Sequence, residues 1–158
     1  MNAKAKILIV DDEEVVRRSF ARILGTTDYQ VKAVSSWTEV AQAMQDDPFD
    51  VVLLDLRMPD VDGMTVLRGL KQRWPSSEVI IITGYPSIDT AKEAVALGAY
   101  DYLAKPVGPD QVIEASNAAM RHKRWALHAE TACADSTSGY AVPMPASPQQ
   151  QVISRSPS

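Results

Sequence analysis

The sequence predicts an α/β protein built on a doubly wound parallel sheet. The runs at 51–54 (Val-Val-Leu-Leu) and 79–82 (Val-Ile-Ile-Ile) are apolar without interruption, as expected of strands covered on both faces. Segments with helical apolar spacing separate such runs, so strand and helix alternate through the chain. Units of this length connect by right-handed crossovers. In such sheets chemistry gathers at the carboxyl ends of the strands. Polar residues stand at those places: Asp11 and Asp12, Asp55, Thr83 and Lys105.

The first strand is read at 7–10 (Ile-Leu-Ile-Val). Val16, Phe20, Ile23 and Leu24 then share one helical face, and Gly25 stops that helix. Residues 31–34 form a weaker strand because Lys32 and Ala33 interrupt it. Ser35 and Ser36 read as helix caps ahead of Trp37, Val40, Ala41 and Met44, whose helix ends before Pro48. The third strand, 51–54, is followed by a helix carrying Leu67, Leu70 and Trp74, ended by Pro75. The fourth strand, 79–82, precedes a helix with Ile88, Ala91 and Val95 on its buried face and Gly98 after it. The fifth strand is short, 101–103. A last helix, about 109–128, would bury Ile113, Asn117, Met120 and Leu127.

At 17.3 kDa and 158 residues the chain is one domain with an appendage. We assign the domain to residues 4–128 and a disordered tail to 129–158. The tail carries charge only at Glu130, Asp135 and Arg155, and holds Pro143, Pro145, Pro148, Pro157 and the run Gln149-Gln150-Gln151. It lacks apolar surface to offset its ordering entropy. Cys133, the single cysteine, excludes a disulfide framework or four-cysteine zinc site within one chain. The net charge of -4 disfavours general binding to a phosphate backbone. No apolar run is long enough to span a membrane or form a signal-peptide core, so a cytoplasmic location is expected.

Five motifs in order carry a family resemblance: Ile7-Leu-Ile-Val-Asp-Asp-Glu13, Leu53-Leu-Asp-Leu-Arg-Met-Pro59, Asp62-Gly63, Ile82-Thr-Gly84 and Tyr102-Leu-Ala-Lys-Pro106. Together they resemble the receiver domain of two-component response regulators over about residues 4–126. The stretches Thr83-Gly-Tyr-Pro-Ser-Ile-Asp89 and Leu97-Gly-Ala-Tyr-Asp-Tyr102 are similar to receivers of the nitrogen-regulation type. Those normally continue into an ATPase and a DNA-binding domain, neither of which fits in this chain. The resemblance implies a flavodoxin-like (βα)5 sheet in the order 2-1-3-4-5.

It also implies roles. Asp55 would accept a phosphoryl group from a histidine kinase. Asp12, Asp55 and the Arg57 backbone carbonyl would ligate Mg²⁺, with Asp11 acting mainly through water. Lys105 would meet a phosphoryl oxygen and Thr83 would donate a hydroxyl hydrogen bond. Physics supports a cation here: like charges about 4 Å apart repel by roughly 4 kcal/mol at an effective dielectric of 20. Three aspartates together need such a cation or raised pKa values, and hard oxygen donors with room for water suit Mg²⁺.

Thr83 and Tyr102 match the family's switch pair, and the altered surface would span the fourth helix, fifth strand and fifth helix. Tyr102 also fits an ordinary edge-strand residue. Gly84 would spare the phosphoryl site from crowding or give backbone freedom. Pro106 resembles the family's cis-proline, which would aim Lys105 inward. Arg57 and Tyr85 are bulky and neither is suited to orient an attacking water, which implies slow dephosphorylation. His122 and His128 sit near a solvated helix end with no chemical role.

The leading reading is therefore a single-domain response regulator, a phosphoacceptor and not an enzyme. Its partners would be a histidine kinase, an unidentified downstream protein and, on phosphorylation, a second copy. The alternative is the receiver portion of a DNA-binding regulator, with Arg121-His-Lys-Arg-Trp125 as remnant linker or weak contact patch. An aspartate-nucleophile phosphatase would want an Asp-x-Asp pair, and a dinucleotide enzyme a Gly-rich loop after Val10. Neither is present.

Overall fold

A computed structural model describes residues 5–59 and 61–135. In chain order the elements are β1 (Lys6–Val10), α1 (Glu14–Leu24), β2 (Gln30–Val34), α2 (Trp37–Asp46), β3 (Val51–Leu54), α3 (Gly63–Arg73), β4 (Glu78–Thr83), α4 (Ile88–Ala96), β5 (Asp101–Ala104) and α5 (Pro109–Asp135). All strand pairs are parallel, in the order β2-β1-β3-β4-β5. The expected doubly wound sheet is the observed one.

Apolarity on both strand faces has its reason in two cores. Leu8, Val10, Val52, Leu54, Val79 and Ile81 face α2 and α3, against Val40, Met44, Leu67 and Leu70. The alternate residues Ile7, Ile9, Val51, Leu53, Ile80 and Ile82 face α1 and α5, against Phe20, Leu24, Val112 and Ala119. Each such large side chain contributes about 1.5–3 kcal/mol by leaving water. The edge strand β2 buries only Val34, and Lys32 on it discourages pairing with another chain.

Ser36 caps α2 by accepting from the Glu39 N–H, while the Ser35 hydroxyl donates to the Glu39 carboxylate. Gly25 takes the Ala21 carbonyl at the end of α1. Gly98, just past α4, has φ +100, a backbone that favours glycine.

Three expectations about helix faces and ends need correction. α4 buries Ala94 and leaves Ile88 74% exposed. Ile88 opens the helix directly after its N-cap Ser87, so it is not part of the packed face. Of the residues expected to mark the inner face of α5, Met120 is buried and Ile113 is half-buried against the core, but the rest of the buried stripe is Val112, Ala115, Ser116 and Ala119. The small residues on it let the helix lie close to β3 and β4, and Leu127 is exposed. α5 also runs to Asp135, past the helix end expected at His128 and into the segment assigned to the tail. Ala129, Ala132 and Ala134 are strong helix formers. The remainder of the tail lies outside the described residues, as do the surroundings of His128 and Cys133.

His122 is not solvated either. Its Nδ1 lies 3.0 Å from Glu78 Oε2, both side chains are largely buried, and its ring packs on Tyr100 at 5.0 Å. A buried glutamate at the start of β4 requires a partner, and His122 provides it.

The loop after β3 turns sharply into α3. A Cβ on Gly63 would lie 2.4 Å from Leu56 Cα, so Gly63→Ala must push the loop away from β3. It is expected to destabilise the chain by about 1–3 kcal/mol in urea unfolding. Gly84→Ala, whose Cβ would meet only Lys105 Cδ at 3.9 Å, should leave the midpoint unchanged. Equal midpoints for the two variants would contradict this account.

Candidate functional site

The sheet register places four strand ends together at one rim. Val10 and Leu54 are partners across β1 and β3, so the next residues, Asp11 and Asp55, leave the sheet side by side. The ladder continues through them: Asp11 N–H donates to Val34 O, and Asp55 N–H to Val10 O. On the other side Lys105 N–H donates to Thr83 O, which carries the β5 end beside that of β4. The backbone is thus fixed before any side-chain contact forms.

Asp11, Asp12 and Asp55 each bring a carboxylate oxygen within 4.8 Å of the others. Asp11 and Asp55 are buried and Asp12 is exposed. Lys105 Nζ lies 2.9 Å from Asp11 Oδ2 and 3.7 Å from Asp55 Oδ2. One lysine among three aspartates leaves an excess of negative charge. Burial, and then the charge of Asp11, push Asp55 up to about 6 from its ordinary 3.8; the Arg57 N–H and Lys105 oppose them, and Asp12 adds a smaller push. Burial alone would lower the Lys105 pKa. The bond to Asp11 and the charges of Asp55, Asp11 and Glu13 outweigh it, so the lysine is held above its usual value and stays charged.

The surrounding turns brace these groups. Asp11 Oδ1 accepts from Glu13 N–H at 2.9 Å, and Arg17 donates to the Asp11 carbonyl at 2.7 Å. Asp55 Oδ1 accepts from the Arg57 N–H at 3.3 Å. Arg57 pairs through its backbone with Asp62, whose side chain caps α3. An open cleft beside Asp12 is walled by Leu56, Arg57, Met58, Pro59 and Asp62.

Thr83 is buried, and its Oγ1 accepts from the Tyr85 N–H at 3.1 Å. The Lys105–Pro106 peptide is cis, as the resemblance implied. Gly84 needs no unusual backbone, since its φ is not positive, so the reading of backbone freedom drops away. Tyr102 stands on β5 with its hydroxyl bonded to α4. Every residue named from the sequence for this rim is found there or on the strand beside it.

Three contacts were not expected. Lys105 binds Asp11 more closely than Asp55. The Arg57 guanidinium stacks on the Tyr85 ring, 3.6 Å from its centroid. Arg17 supports the Asp11 backbone. The first two join elements that only the fold brings together, the third spans only six residues, and the one signal noted in the sequence was the bulk of Arg57 and Tyr85.

Comparison with known proteins agrees with this geometry. The model of the response regulator receiver domain matches residues 7–117. The alginate biosynthesis transcriptional regulatory protein AlgB of Pseudomonas syringae pv. tomato is 38% identical over 109 residues, covering 69% of this chain and 24% of that protein. A putative NtrX-like response regulator of Rickettsia bellii is also 38% identical over 109 residues, covering 68% of this chain and 23% of its own length. The chain therefore spans about a quarter of these relatives. The crystal structure of a receiver domain protein from Clostridium thermocellum superposes with a TM-score of 0.72 at 35% identity, covering 77% of this chain and 98% of that one. With its sheet order, its rim of aspartates and this match over most of its length, the chain belongs to the response regulator receiver domain family.

Proposed function

We propose that this chain receives a phosphoryl group on Asp55 from a histidine kinase and signals through α4, β5 and α5. The observation that carries this reading is the buried Asp55 carboxylate, crowded by Asp11 and Asp12 and faced by Lys105. In the transfer, Asp55 attacks phosphorus in line while the P–N bond to the donor imidazole breaks. Positioning and charge neutralisation supply most of the rate. Lys105 would release part of its hold on Asp11 and meet a phosphoryl oxygen, and Thr83 would give up the Tyr85 N–H to donate its hydroxyl to another.

The donor set fits Mg²⁺: only hard oxygens, an excess of negative charge, and an open side at Asp12 for water. Asp12, Asp55 and the Arg57 carbonyl would hold the ion, with Asp11 behind a water. When bound, Mg²⁺ neutralises the charge that develops on the transferring group. Asp11 would keep Lys105 in place, and the Arg57 N–H would fix one oxygen of Asp55 so that the other faces the donor.

The stack of Arg57 on Tyr85 supports a long-lived phosphoryl group, since neither side chain can activate water and the Arg57 backbone is itself bonded to Asp55. The Tyr102 hydroxyl links β5 to α4. Adding nearly a full negative charge at Asp55 would shift the population of that surface. A downstream protein or a second phosphorylated copy would dock there. Among the described residues no helix is long and apolar enough to cross a membrane, and a cytoplasmic location suits a kinase substrate of this kind.

A second reading has one observation in its favour. The relatives are about three times as long as this chain, and AlgB is by name a transcriptional regulator, so this chain could be the receiver portion of such a protein. Direct DNA contact by 121–125 is opposed by the structure, where His122 pairs with Glu78 and Lys123 with Asp50.

Asp55→Asn is expected to abolish labelling by acetyl phosphate with Mg²⁺; undiminished labelling would move the acceptor elsewhere. The same variant tests the electrostatics. Because the folded Asp55 holds its proton up to about pH 6 against 3.8, the folded state binds more protons and loses stability as pH rises through that window. Without metal, Asp55→Asn should therefore be more stable than wild type at pH 7, by about 1–3 kcal/mol, with the gain vanishing below pH ~4. A loss of stability at pH 7 would contradict the crowding. Purified phosphoprotein should decay over many minutes and faster in Tyr85→Ala; a wild-type half-life of seconds would remove the protective role of the stack.

A further inference from the structure

The start of α4 carries hydroxyls that the site itself does not use. Ser87 is the N-cap, and its Oγ accepts from the Thr90 N–H at 3.1 Å. The Ser87 N–H donates to Tyr102 Oη at 3.2 Å, Tyr102 Oη lies 2.6 Å from Thr90 Oγ1, and Thr90 Oγ1 donates to Ser87 O at 3.2 Å. Ser87 Oγ also lies 2.8 Å from Thr90 Oγ1, and one assignment of protons satisfies all four contacts: Ser87 N–H to Tyr102, Tyr102 O–H to Thr90, Ser87 O–H to Thr90, and Thr90 O–H to Ser87 O. The bonds close a ring through a single residue's backbone, and each strengthens the next.

The ring fixes more than a helix end. Tyr102 lies on β5, so the ring ties β5 to α4 across elements that otherwise touch little, α4 burying only Ala94. The same first turn of α4 follows Tyr85, whose N–H is held by Thr83. Rotation of Tyr102 must break the ring at two points, because its hydroxyl is donor to one member and acceptor from another. Thr90 is the member whose side chain supplies both contacts of the ring on the α4 side, and it touches neither Asp55 nor Lys105.

We propose that Thr90, through the hydroxyl ring with Tyr102 and Ser87, holds the α4–β5 surface in its unphosphorylated arrangement and so sets how readily modification of Asp55 releases it. This rests on the reading of Asp55 as phosphoacceptor and Tyr102 as switch. Thr90 is a positioning residue that acts through Tyr102. Removing its hydroxyl opens the ring without altering the phosphoryl site, and the released arrangement becomes more populated. Any ligand that binds the released arrangement then binds more tightly by the same factor.

The test is calorimetric titration of beryllofluoride with Mg²⁺, a stable mimic of the phosphoryl group, into the full chain. Thr90→Val keeps the shape and removes the hydroxyl; it should tighten apparent binding by about threefold to tenfold, the range that loss of one hydrogen bond gives. Thr90→Ser keeps the hydroxyl and should bind as wild type does. In a Thr90→Val/Tyr102→Phe pair the two effects should not add fully, since both remove the Tyr102–Thr90 contact. A merely structural cap would instead lower the melting temperature of Thr90→Val and leave its affinity unchanged. Wild-type affinity or weaker binding in Thr90→Val therefore overturns the proposal. Absence of beryllofluoride binding in wild type itself would strike the phosphoacceptor reading first, and the ring's role with it.

Discussion

Two carboxylates at neighbouring strand ends, Asp11 and Asp55, set the terms for everything else at this rim. Parallel pairing of β1 with β3 leaves them no choice of place, because each follows a register partner. Their mutual repulsion, with Asp12 nearby, is only partly offset by Lys105, which sides with Asp11. Burial first, and this repulsion second, leave an Asp55 that favours its neutral form far more than an ordinary aspartate does. A site in this condition gains from any ligand that brings positive charge. It also loses little when one of its acids is converted to something that can share a cation.

The scaffold tolerates this strain because its own stability is elsewhere. The two cores on opposite faces of the sheet are made by β1, β3 and β4, none of which spends its buried positions on polar groups except at the ends. Polar burial appears at both rims. At one, Asp11, Asp55 and Thr83 are held by backbone donors and by Lys105. At the other, Glu78 faces His122, and Ser77 donates to the Phe49 carbonyl. The first rim is short of cations, whereas the acid at the second has His122 as a hydrogen-bonding partner, which separates a place for chemistry from a place for anchoring α5.

Much of this was legible in the sequence. Unbroken apolar runs identified β3 and β4 because strands buried on both faces cannot carry polar residues, and acids just past the runs marked the rim. The motifs then assigned roles to Asp55, Thr83, Tyr102 and Lys105. What escaped was set by contacts between distant residues. Lys105 and Asp11 are 94 positions apart, and His122 and Glu78 are 44 apart. The buried stripe of α5 was partly misplaced because small residues, not the larger Ile113 and Leu127, determine how that helix approaches the sheet. Ile88 misled for the opposite reason: an apolar residue at a helix start matched the period yet stands in solvent. In the ring at α4, the Ser87–Thr90 spacing suggests a cap, but nothing in the sequence alone brings Tyr102 to it.

The claim at the centre is that burial and crowding at the rim make the position-55 side chain hold a proton unusually well and surrender it to a divalent ion. Carbon-13 NMR of the aspartate carboxyls, titrated with and without Mg²⁺, reads this directly. The expected Asp55 midpoint is near pH 6 in chelator and well below 4 with Mg²⁺. A midpoint near 4 that ignores the metal would contradict the account.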